Sequence, residues 1–134
     1  MWENEVLPSE TVSRYLFEGN IRSSDNTIRH SAFIPPSSLK LSVFRIYDLA
    51  DNDIWNLAVE KVEPYRKEAG TVIGRGDLLV STVIQENLRV IPDSAPSRHA
   101  DVCGWPDDRD ERVTIAKVLA AKASPPKKRP AETS

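Results

Sequence analysis

The chain's only two imidazoles each follow an arginine, in Arg29-His30-Ser31-Ala32 and Arg98-His99-Ala100-Asp101. A pair of histidines can cleave a phosphodiester without metal. One takes the 2′-hydroxyl proton and the other returns a proton to the leaving oxygen. A guanidinium nearby would stabilise the charge that builds on the phosphorane, a part open to Arg29, Arg45 or Arg98. His30, His99, Arg45 and Arg98 are therefore the candidate catalytic set. The plain alternative is that both histidines are ordinary surface or hydrogen-bonded side chains.

Other patterns promise less. Two-histidine phosphoesterases carry His-x-Thr or His-x-Ser twice, whereas the third positions here are Ala32 and Asp101. His99, Asp101 and Cys103 alternate along one strand and are zinc-capable donors, but the paired short spacings of zinc sites are missing, so no metal is expected. Cys103 beside His99 is a conceivable nucleophile, although a lone cysteine is more simply a small buried residue. Gly70-x-x-x-Gly74-x-Gly76 is not followed by the Lys-Ser/Thr of a phosphate loop and reads as a turn, so no cofactor is expected. Trp105, in Gly104-Trp105-Pro106, is either a core plug or a contact anchor. With Arg29 and Arg98 it makes up the candidate binding set, since Trp and Arg are enriched at interface hot spots.

These residues need a frame. Ser9 as N-cap and Val12, Tyr15 and Leu16 on one face predict a helix over 10–18, stopped by Gly19. Ser23 to Asn26 signal a turn. Strands are predicted over 27–34 and 39–47. Ile54, Trp55, Ala58, Val59 and Val62 mark an amphipathic helix from about Asp51 to Pro64. Three short strands follow at 71–73, 77–84 and 88–91, then a Pro-rich loop over 92–98 and a strand over 98–103. Asp107 caps a last helix over 108–123, with acidic residues in its first turn. The sum is an α+β domain over residues 1–123: a four- or five-stranded mixed or antiparallel sheet with about three helices on one face.

Length and composition agree with one domain. The 134 residues are 40% hydrophobic and 28% charged, ordinary for a folded unit. No apolar run exceeds about four residues, against roughly twenty for a membrane span, so no membrane association is expected. An acidic start without a basic-then-apolar leader, and a single cysteine, predict a cytoplasmic chain. Residues 1–123 hold 15 Lys/Arg against 19 Asp/Glu, which gives no support for broad nucleic-acid binding. Residues 124–134, with Pro125, Pro126, Lys127, Lys128, Arg129 and Pro130, predict a disordered basic tail.

The segments Arg29–Pro35, Leu41–Arg45 and Pro96–Pro106, with Ile115-Ala116-x-x-Leu119-Ala120-x-x-Ala123, resemble small uncharacterised bacterial proteins of this length. That resemblance implies a prokaryotic or mobile-element setting and carries over no catalytic residue. Three readings follow. The first is a small interaction module that binds a protein partner, in a host-defence or toxin-related setting. The second is a metal-independent phosphodiesterase or ribonuclease built on His30 and His99. The third is a nucleic-acid-binding accessory protein using an arginine patch.

Overall fold

Thr11-Val12-Ser13-Arg14-Tyr15-Leu16 is β-branched and aromatic in character, and in the computed structural model it forms strand β1 (Thr11–Leu16) rather than the predicted helix. The structure describes residues 5–66, 68, 70–93 and 98–130. Strands β2 (Ile21–Arg22) and β3 (Thr27–Ile28) form a small hairpin around the predicted turn. Strand β4 (Leu41–Arg45), helix α1 (Asp51–Leu57), strand β5 (Gly74–Leu79), helix α2 (Val80–Gln85), strands β6 (Arg89–Pro92) and β7 (His99–Cys103), helix α3 (Arg109–Lys122) and strand β8 (Lys127–Lys128) follow. The main sheet has six strands in the order β6-β7-β4-β1-β5-β8, with every pairing antiparallel.

The α+β class holds, with more strands than expected, and helices cover both faces of the sheet. On one face α2, α3 and a 3-10 turn at His30–Phe33 pack over Val12, Leu16, Leu41, Val43 and Val102. On the other, α1 and the turns after it pack over Tyr15, Phe17, Phe44 and Ile46. This two-sided burial explains the misreading of β1. As a central strand it buries Val12 and Leu16 on one side and Tyr15 and Phe17 on the other, so its apolar residues do not alternate simply.

Three further expectations are corrected. The strand over 27–34 ends after Ile28, and His30–Phe33 turns as a 3-10 helix. The strand over 77–84 stops at Leu79, where α2 begins. Val80 N–H donates to Glu10 O and Ser81 N–H to Pro8 O, so the preceding segment satisfies the first amides of α2 despite its β-branched sequence. Gly74-Arg75-Gly76 opens β5 instead of separating strands. Helix α3 falls where predicted, with Asp108 rather than Asp107 as its cap: Asp108 Oδ2 accepts from Glu111 N–H at 3.0 Å.

The tail is also not as expected up to Pro130, while residues 131–134 lie outside the described residues, as do 94–97 of the Pro-rich loop. Lys127 and Lys128 pair with Arg75 and Gly74 along the sheet edge. Ser124 exchanges two hydrogen bonds with the backbone of Asp77. Arg129 bonds Glu63 Oε2 at 2.8 Å and the Val72 carbonyl at 3.1 Å. The glycine at 74 is what lets this strap lie close, because a Cβ there would stand 2.9 Å from the Lys127 carbonyl. Gly74→Ala should therefore lower stability by about 1–3 kcal/mol, the usual cost of forcing atoms into a packed site. Urea denaturation measures it, and an unchanged midpoint would mean that the strap is not held.

Candidate functional site

The structure disperses the predicted catalytic set. His30 sits in the 3-10 turn on the α3 side of the sheet. With Arg22, Arg29 and Lys117 it lines a cavity of about 670 Å³. His99 points from β7 to the opposite face, where its ring meets Phe44 edge-on with centroids 5.5 Å apart. The two imidazoles thus lie on opposite sides of the sheet. Arg45 is buried and committed to Glu10: Nε donates to Oε1 at 2.9 Å and Nη2 to Oε2 at 2.7 Å. Arg98 donates to Asp48 Oδ1 at 2.8 Å and lies outside the His99 pocket. The binding set fares similarly, for Trp105 is only 6% exposed and its indole N–H donates to the Val102 carbonyl at 2.9 Å. It is a core plug. Arg29 is exposed beside His30.

His99 belongs to a different assembly. β1 pairs with β4 at only two positions, Val12↔Arg45 and Ser13↔Phe44, although β1 continues along β5 and β4 continues along β7. The two central strands therefore part. Arg14 bridges the gap, its Nε donating to the Ala32 carbonyl and its Nη1 to the Ser42 carbonyl, both at 2.9 Å. A cavity of about 570 Å³ opens here, within the range of small-molecule sites. Its walls come from β1, β4 and β7, and it is closed by Lys61, Val62, Tyr65 and Arg66. Those four follow α1 on a π-helical stretch (Ala58–Val62) and a 3-10 turn (Glu63–Tyr65). Irregular helix of this kind recurs at functional sites. Glu63, fixed by Arg129 and by the Val72 N–H, anchors the turn, so the C-terminal strap holds this wall in place.

The charged side chains that line the cavity are basic, while Asp93 and Asp101 stand beside His99. Arg14, Lys61 and Arg66 line the cavity, and among the described residues none of the three has a carboxylate partner. Desolvation, reinforced by the Arg66 charge, pushes the Arg14 guanidinium down to about 10. It stays protonated at neutral pH, but as an unfavourable charge lacking a counter-ion. The apolar walls are aromatic, with Tyr15, Phe17, Phe44 and Tyr65, and the Arg66 guanidinium lies 5.1 Å from the centre of the Phe17 ring.

No protein-family model matches this chain, and neither a curated protein nor a solved structure matches it.

Ser42 and His99 meet at the cavity wall. Ser42 Oγ lies 2.5 Å from His99 Nε2. His99 Nδ1 is shut off from solvent and has no hydrogen-bond partner among the described residues, and Asp93 Oδ2 stands 3.6 Å from it. Asp101 Oδ1 is 3.7 Å from Nε2. Asp93, His99 and Asp101 also offer atoms within 4.8 Å of one another, a spacing that a divalent cation could use. Cys103 lies on the same face of β7 but outside that group. Burial, helped by Asp101, pushes its thiol up, which makes it a poor nucleophile. Sequence reasoning missed Arg14 and Ser42. The available signal was a charged residue inside Val12–Phe17, a run otherwise buried almost throughout.

Proposed function

We propose that the chain binds a small phosphate-bearing ligand with a flat ring, such as an aryl or nucleoside monophosphate, in the cavity where β1 and β4 part. The observation that carries this reading is the Arg14 guanidinium. It is half-buried, it lies near a second arginine, and among the described residues it is met by two carbonyl oxygens and no carboxylate. An anion would supply the missing counter-charge, and a phosphate can take paired guanidinium hydrogen bonds. Phe17, Phe44 and Tyr65 offer faces and edges for a ring. The mild acidity of the domain favours a small anion over a long polynucleotide. The protein-partner reading loses its anchor with the burial of Trp105.

Calorimetric titration of the full chain with phenyl phosphate, inorganic phosphate and phenol tests the proposal. Phenyl phosphate should bind at least tenfold more tightly than inorganic phosphate, with phenol weakest, because ring and anion are held together. Equal or undetectable binding of all three would refute it.

A further inference from the structure

The same cavity carries a second feature that binding alone does not require. Ser42, the second residue of β4, has its hydroxyl against Nε2 of His99. The imidazole is held edge-on by Phe44 and is only 12% exposed. Its far nitrogen, Nδ1, is sealed from water and faces Asp93. In the tautomer with its proton on Nδ1, that N–H lies 3.6 Å from Asp93 Oδ2, longer than a hydrogen bond, and Nε2, which Asp101 Oδ1 also approaches to 3.7 Å, accepts from the Ser42 O–H. This is the order nucleophile, base, orienting acid that activates a serine. Arg14, bonded to the Ser42 carbonyl, brings a cation to the same residue.

We infer that the cavity hydrolyses phosphate monoesters of flat-ringed alcohols through Ser42, an inference that rests on the binding reading above. Ser42 Oγ attacks phosphorus as its proton passes to His99 Nε2. The bond to the ester oxygen breaks, and the departing alkoxide or phenoxide takes the proton from His99. Water then attacks the phosphoserine, giving its proton to His99. The Ser42 Oγ–phosphorus bond breaks, and the proton returns to Ser42. One ester and one water yield one alcohol and one inorganic phosphate. Arg14 and Arg66 carry the charge that builds on the non-bridging oxygens. Asp93 is a positioning residue, acting through His99.

The test uses the full chain and p-nitrophenyl phosphate, with and without a chelator. Release of nitrophenol should persist in the chelator and fall at least a hundredfold in Ser42→Ala and in His99→Gln. Mass spectrometry of an acid-quenched reaction should find a phosphoryl group on the peptide carrying Ser42 in the unaltered chain. Asp93→Asn should lower turnover and move the pH profile, which a purely structural role would not do. A chain that binds phenyl phosphate yet releases no nitrophenol would overturn this inference and leave the binding reading intact. A chain that binds neither would remove both. Activity that requires an added divalent cation would assign Asp93, His99 and Asp101 to a metal instead, and would equally overturn it.

Discussion

Arg45→Met should destabilise the domain by about 3–5 kcal/mol, the usual cost of breaking a buried ion pair from one side. Both partners are almost fully enclosed, with side chains 3% and 7% exposed. Glu10 Oε2 also accepts from the Leu7 N–H at 2.9 Å. Its backbone carbonyl receives the first amide of α2, so the carboxylate sits at the junction of β1, β4 and α2. Methionine would leave that carboxylate buried and facing no charge. Removing both charges in Glu10→Leu/Arg45→Met should recover most of the loss, since no buried charge then remains and only the Leu7 N–H loses its acceptor.

The pH dependence gives a second check on the pair. Burial alone would raise the Glu10 carboxyl, but Arg45 and the Leu7 N–H outweigh it and hold the group below its ordinary value of 4.5. Its contribution is present above that value and lost as pH falls through the depressed folded one. In Arg45→Met the orphaned carboxyl should shift upward, so protonation relieves it. The stability gap between variant and wild type should therefore narrow on acidification. Denaturant titrations at neutral and acidic pH would show this. A gap below about 1 kcal/mol at neutral pH would mean that the pair contributes little.

The second large effect concerns binding. Arg14→Gln should weaken phenyl phosphate by about 10–100-fold, corresponding to the roughly 1.5–3 kcal/mol of a charge-assisted hydrogen bond. Stability should change by less than about 1 kcal/mol. The variant loses hydrogen bonds to the Ala32 and Ser42 carbonyls but also removes a half-buried charge near Arg66. That combination marks a residue kept for its ligand rather than for the fold. Unchanged affinity in this variant would place the anion elsewhere.

The elements legible in the sequence were those with one buried face or an explicit end signal. Helix α3 has its acidic first turn and Asp cap, α1 its apolar spacing, and β7 alternates. Where tertiary context decided, local signals misled. β1 is buried on both faces, and its Val12, Tyr15 and Leu16 spacing mimics a helix. The glycines at 74 and 76 read as a turn, yet they sit in a strand where a neighbouring backbone and the Ile28 side chain come close. The basic tail gained order from a sheet edge that no local pattern announces.

The site shows the same division. His99 was visible as one of two imidazoles, and its strand was correctly placed. Its partners came from residues distant in sequence. Ser42 reaches it through the β4–β7 pairing, in which Ser42 stands opposite Asp101 and Phe44 opposite His99. Arg14 arrives because β1 and β4 separate after two paired positions. Strand register and strand parting are long-range properties, and neither is written in a stretch of ten residues.

Side-chain NMR of the arginines, followed while phenyl phosphate is added, addresses anion capture most directly. The Nε–H signals of Arg14 and Arg66 and the ring protons of His99 should shift together and saturate together. Shifts confined to Arg22, Arg29 and the His30 ring, in the cavity across the sheet, would contradict it.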